Sequence, residues 1–368
     1  MRNKNNHKKD KDMSKPVVLL VHGMGTHQPG NMTKEFTKGV NEAAVFLGLN
    51  SFDISEKVDL KEYNYSEKLD DIRKKAADHQ GSISEYLQFI SGGGLGSIAS
   101  KLSSMEAKFG NDEFLYTHWL DVFYYGLTYH NEEIRAEWAE ELNKLILFCH
   151  KNGRKLHVVG HSLGTAIVHD ALAKLYREEV DFGDTLHLSA KSERFESLWM
   201  VANVSRLLFI LTRFTDPNHS IVHDSNPDML GCSNYFYNVG NKFDPFLLVK
   251  RYKRDIENGR HICFGEVRKR DDDLKVNPHD LTEYMACPDI TRLFLYRTLG
   301  YKFSITVQDE ARKKYRATTI QGNLSEAEEK ISQFVNDLGD IQPNNISTVI
   351  NSFEAAKKAI KEVRSLAD

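Results

Sequence analysis

Ser162 stands in Gly160-His161-Ser162-Leu163-Gly164, between the apolar run Lys155 to Gly160 (KLHVVG) and a helix-compatible run from Leu163 to Tyr176. A serine hydroxyl is a weak nucleophile until a base takes its proton and the scaffold projects it toward a substrate. Glycines two residues to either side permit a sharp strand-to-helix turn. The helix that follows then aims backbone N–H groups at the negative charge developing on an attacked carbonyl. The chemistry suited to this spacing is acyl transfer through a covalent serine intermediate. Such a reaction needs oxyanion donors from just after the nucleophile and from an earlier loop. His22-Gly23-Met24-Gly25, closing the run Pro16 to His22 (PVVLLVH), supplies that loop. The backbone N–H groups of Met24 and Leu163 are the candidate donors.

The remaining groups are an acid and a base. Asp244 follows the strand-like SNYFYNV and the turn Gly240-Asn241-Lys242, where a carboxylate could orient a histidine and stabilise its imidazolium. Its Asp-Pro pair also suits a helix start. Asp216 and Asp224, in the polar loop after Phe214, are alternative acids. His279, in Val276-Asn277-Pro278-His279-Asp280, lies on a loop after the last strand and is the candidate base, with His223 and His261 as lesser candidates. His161 occupies the variable position of the turn and is read as a packing or pocket residue. His22 is read as holding its own loop by a structural hydrogen bond.

Positioning these residues requires strands alternating with helices. Pro16 to His22 reads as a strand buried on both faces, and Thr33 to Leu47 spaces Phe36, Val40, Ala43, Ala44 and Leu47 at helical intervals. Val58 to Tyr65 is expected as strand and Asn131 to His150 as a long amphipathic helix. KLHVVG is the next strand, followed by the Leu163 helix. Ser197 to Val204, Asn234 to Val239 and His261 to Arg268 complete the strand series, and a helix begins at Leu281. This alternation predicts an α/β fold with a mostly parallel central sheet flanked by helices. From about Gly300 a hairpin (Lys302 to Val307 with Tyr315 to Ile320) and two helices, Ser325 to Leu338 and Asn345 to Leu366, are expected.

VVLLVHGMGTHQPG together with LHVVGHSLGT resembles the α/β-hydrolase superfamily, particularly its lipase-like and esterase-like branches, over about residues 16 to 290. The resemblance implies a parallel sheet, a triad in the chain order Ser-Asp/Glu-His, no cofactor, and hydrolysis of an ester or related acyl bond. On this sequence the triad would be Ser162, Asp244 and His279. Fold likeness does not fix the substrate.

Composition narrows the partners. The net charge of -3 balances 49 basic against 52 acidic residues and gives no overall pull toward nucleic acid. Four scattered cysteines without a CxxC pair suggest neither zinc nor a disulfide framework and fit a reducing, cytoplasmic setting. The run Asp271-Asp272-Asp273 reads as a solvated turn, so no metal is expected. KRYKR, from Lys250 to Arg254, reads as a solvated helix face that could also favour an anionic surface, and any membrane contact would be peripheral. Three parts are expected: a disordered tail at 1–15, an α/β-hydrolase core at 16–300, and a mainly helical C-terminal extension at 301–368. Apolar spacing around the glycine run in 81–118 suggests a cap or lid, hence a lipid or medium-chain acyl ester. Two rivals share the sequence: a binding or scaffolding protein that has lost turnover, and an acyltransferase using an acceptor other than water.

Overall fold

Val17–Val21 is five consecutive aliphatic residues, all of them buried. An uninterrupted apolar run of this kind forms where a strand is covered on both faces. In the computed structural model this strand, β1, lies within a six-stranded, all-parallel sheet. The structure describes residues 15–23, 28–65, 122, 125–126, 130–176, 186–212, 214–223, 231–247, 252, 259–268, 277–320, 329, 333 and 358. The other strands are β2 (Asp59–Tyr63), β3 (Leu156–His161), β4 (Phe195–Val201), β5 (Ser233–Asn241) and β6 (Gly259–Phe264). Their order across the sheet is β2-β1-β3-β4-β5-β6.

The side chains of β1 alternate between two cores, as the two-residue period of a strand requires. Val17, Leu19 and Val21 pack with Trp138, Leu142 and Ile146 of His130–Lys151 and with Leu163, Ile167 and Leu172 of Leu163–Leu175. Leu207 and Leu208 of Ser205–Thr212 join that side. Val18 and Leu20 face the opposite core, with Met32, Phe36 and Val40 of Asn31–Phe46, and with Ile54 of the single turn Ile54–Lys57. Leu281–Ala286, Pro288–Leu299 and Ile305–Ala317 complete this second layer. In chain order these helices are α1 (Asn31–Phe46), α2 (Ile54–Lys57), α3 (His130–Lys151), α4 (Leu163–Leu175), α5 (Ser205–Thr212), α6 (Leu281–Ala286), α7 (Pro288–Leu299) and α8 (Ile305–Ala317).

Three contacts fix α1 and α6. Glu62 at the end of β2 accepts from the N–H groups of Gly30 and Thr33, at 3.2 and 3.0 Å, and so satisfies donors that a helix start leaves open. Gly39 of α1 lies so near α6 that an added Cβ would sit 2.7 Å from the Thr282 carbonyl oxygen. Arg268, after β6, pairs with Glu42 of α1 and Glu283 of α6 at 2.8 and 2.7 Å.

The hairpin expected at 302–307 and 315–320 is not formed: those residues flank or belong to α8. Ile305, Val307 and Tyr315 carry strand propensity, but Ser304 caps a helix by accepting from the Val307 N–H, and Ala311 and Tyr315 bury one face four residues apart. The only pairing there among the described residues is a single antiparallel bridge, Arg268 with Thr319. The tail before Lys15, the 81–118 segment, the acidic run 271–273 and the helices expected from Ser325 onward lie outside the described residues, apart from positions 329, 333 and 358. Of KRYKR only Tyr252 is described. None of the four cysteines forms a disulfide. Among the described residues no helix is long and apolar enough to cross a membrane.

His157 gives the fold an acid sensitivity. It is wholly buried on β3, with Nδ1 2.7 Å from Ser197 Oγ, and burial pushes its pKa down to about 3, with Lys155 and Arg297 acting in the same direction. The unfolded chain takes up this proton near 6.5, so between those values the unfolded state holds the extra proton. Stability is therefore complete above about pH 6.5 and declines below it, with a slope approaching ~1.4 kcal/mol per pH unit from this residue. His157→Asn should flatten the decline. Urea midpoints measured at pH 7 and pH 5 should differ less in the variant than in the parent, and an unchanged difference would remove His157 as the cause.

Candidate active site

The strand order reverses between β1 and β3. The chain leaves β1 toward β2 on one side, then crosses to β3 on the other, so β1 and β3 send their following helices, α1 and α4, to opposite faces. Crevices at such a reversal, outside the carboxyl ends of the strands, are where open parallel sheets bind ligands. Gly23 follows β1 and Ser162 follows β3, and a Cβ added at Gly23 would sit 2.8 Å from Ser162 Cβ.

Ser162 has φ 53° and ψ -125°, a left-handed backbone that a non-glycine residue holds at a cost of about 1–3 kcal/mol. Its neighbours fix that conformation. The Ser162 N–H donates to the Val201 carbonyl at 3.0 Å, and its own carbonyl accepts from the Thr165 N–H at 2.9 Å and the Thr165 hydroxyl at 2.6 Å. Thr165 Oγ1 in turn accepts from the Val204 N–H, tying the turn to the end of β4. Gly164 is needed for the helix to start so close to β1, since a Cβ there would overlap the Val21 and His22 carbonyl oxygens.

Three side chains converge behind the turn. Ser162 Oγ lies 2.7 Å from His279 Nε2, and His279 Nδ1 lies 2.8 Å from Asp244 Oδ2. The carboxylate, which only accepts, sets the tautomer: Nδ1 carries the proton and Nε2 faces the serine with its lone pair. Asp244 is fully buried, and its other oxygen accepts from the Phe246 N–H at 3.0 Å. The Phe246 ring lies 4.5 Å from the His279 ring.

Two further residues hold this group in place. Tyr284, on α6, donates its hydroxyl to Asp244 Oδ2 at 2.6 Å and accepts from the Asn241 N–H at 3.1 Å. Burial, reinforced by the adjacent carboxylate, holds that hydroxyl well above the usual phenol range, so it stays a donor. His161 donates Nε2–H to the His279 carbonyl at 2.8 Å. It thus positions the backbone of the histidine. Sequence spacing singles out neither role, because Tyr284 reaches Asp244 only when α6 packs beside β5. The one available hint was its place five residues after His279.

The loop after β1 is held from β2. Tyr65 donates its hydroxyl to the Gly23 carbonyl at 2.6 Å and the His22 carbonyl at 3.0 Å, and its ring stacks on His22 at 3.9 Å. His22 Nδ1 lies 2.7 Å from the Gly23 carbonyl, which it serves as donor. Met24 lies outside the described residues. The Leu163 N–H, first of α4, takes no acceptor among the described residues.

The alternative residues have other partners. Asp216 caps the short turn Pro217–His219 by accepting from the Asn218 N–H. Asp224 lies outside the described residues. His223 is buried between His169 and Tyr252, with ring centroids 5.0 and 4.5 Å away, and His261 stacks on Tyr252. Among the described residues no group of three His, Cys, Asp or Glu side chains could hold a metal ion.

The arrangement can move a proton from a serine hydroxyl to an imidazole whose charge a buried carboxylate would then balance. Compared with protein-family models, with curated proteins and with solved structures, the chain finds no match.

Proposed function

We propose that this chain is a serine hydrolase of the α/β-hydrolase fold that cleaves carboxylic esters. The observation that carries the reading is the unbroken series Ser162 Oγ, His279, Asp244, at 2.7 and 2.8 Å, with the serine on a strained turn between β3 and α4. His279 takes the Ser162 proton as Oγ attacks the acyl carbonyl, and Asp244 stabilises the imidazolium. The Leu163 and Met24 N–H groups receive the oxyanion. His279 then gives its proton to the leaving alcohol, and water resolves the acyl-enzyme by the reverse sequence. A lipid or medium-chain acyl substrate is favoured by the apolar spacing of residues 81–118, a sequence argument alone.

The test is hydrolysis of p-nitrophenyl esters of increasing acyl length by the full chain. Turnover that rises from acetate to the medium chains is expected. Folded protein that neither turns over any of these esters nor reacts with a fluorophosphonate would leave the fold to a binding role.

Tyr284→Phe should lower kcat about tenfold with KM little changed, because a hydrogen bond to a charged group is worth about 1.5–3 kcal/mol and acts here on the acid alone. A rise in KM at constant kcat would instead assign Tyr284 to substrate binding.

A further inference from the structure

A second concave site lies on the layer formed by α7 and α8. It is a cleft of about 330 Å³ lined by Arg260, Arg292, Arg297 and Lys302 together with Tyr237, Tyr296, Tyr301, Phe303 and two others, none of them acidic. That volume is at the lower end of the range for small-molecule sites, about 300–1,000 Å³. Arg260 is the second residue of β6 and pairs with Tyr237, while the catalytic group gathers beyond the strands' other ends. The four steps along the strand from Arg260 to Phe264 span roughly 13 Å, so the two sites are separate.

Four cations in one cleft of a chain with net charge -3 call for counter-charge, and the described residues supply little of it. Arg292 donates to Asp289 at 3.0 Å, but both oxygens of that carboxylate are already taken by Arg312 at 2.8 Å. Arg297 donates to the Tyr237 hydroxyl and lies 3.2 Å over the Tyr235 ring, so both partners are neutral and its planar head is held in a fixed direction. Arg260 and Lys302 are exposed and form no ion pair among the described residues. Clustered like charges repel unless an anion joins them, and guanidinium forks suit the paired oxygens of a phosphate. Aromatic faces complete the lining: Tyr301 and Phe303 are stacked on one another, and Tyr296 is exposed at the edge.

We propose that this cleft binds a phosphate monoester, with Arg260, Arg292, Arg297 and Lys302 holding the phosphate and the tyrosines and Phe303 packing against the organic group that carries it. The same phosphate chemistry can arrive on a soluble molecule or on a lipid headgroup. Two probes separate them: AMP in equilibrium dialysis, and flotation with phosphatidic acid vesicles against pure phosphatidylcholine vesicles. Each is run on the full chain and on the double variant Arg260→Ala with Lys302→Ala. Both residues are exposed, so an unchanged melting curve without ligand checks the fold. Saturable AMP binding weakened about tenfold or more in the variant supports a soluble ligand. Flotation confined to phosphatidic acid vesicles and lost in the variant, with no AMP binding, supports a lipid headgroup. Binding of neither probe, or binding equal in parent and variant, overturns the proposal.

Discussion

Ser162→Ala should abolish ester turnover, with kcat falling by about 10⁶-fold, and should remove the single fluorophosphonate adduct expected by intact mass in the parent chain. The size of the effect follows from the reading of Ser162 as the only atom that forms a bond to substrate. His279 and Asp244 act through it, so no remaining group can take over. The fold should survive, because Ala keeps the Cβ and the backbone bonds to Val201 and Thr165 that fix the turn. A positive φ costs Ala about what it costs Ser. The same adduct appearing on Ser162→Ala would place the reactive hydroxyl elsewhere, and an adduct absent from both forms would count against an activated serine.

Asp244→Asn should cost about 10⁴-fold in kcat. Its two oxygens accept from His279 Nδ1, Tyr284 and the Phe246 N–H, so every neighbour is a donor. An amide must turn its own N–H groups toward one of them. Facing His279, it favours the tautomer with the proton on Nε2, where the serine proton has to go. Facing Phe246, it opposes one donor with another, and in either position the counter-charge for the imidazolium is gone. Little change in melting temperature alongside the rate loss separates this from unfolding. A variant within tenfold of the parent rate would mean that another carboxylate serves the histidine.

The strands were legible because their signal is local. PVVLLVH and KLHVVGH each carry an aliphatic run of the kind a strand covered on both sides needs, and β1 and β3 lie within those segments. Ser162 and Asp244 could be nominated because each sits just beyond a strand, and His279 because it lies on the stretch that follows the last one; in a parallel sheet those strand ends share one edge. Tyr284 and His161 escaped notice as positioning residues for a different reason. Their partners, Asp244 and the His279 carbonyl, are 40 and 118 residues away, and no spacing rule spans that distance. Where a hairpin of 302–307 with 315–320 was expected, residues 305–317 form a helix, because packing on α1 and α7 outweighs the strand propensity of Ile305, Val307 and Tyr315.

The 117-residue separation of Ser162 and His279 also sets a timetable for synthesis. A ribosome adding about 5–20 residues per second needs roughly 6 to 25 s to pass from one to the other. Throughout that interval the nascent chain carries Ser162 while its proposed base, His279, has not yet been translated. Reactivity should therefore switch on abruptly once the segment through Tyr284 has left the exit tunnel and docked, and stalled chains ending before it should be inert toward acyl esters.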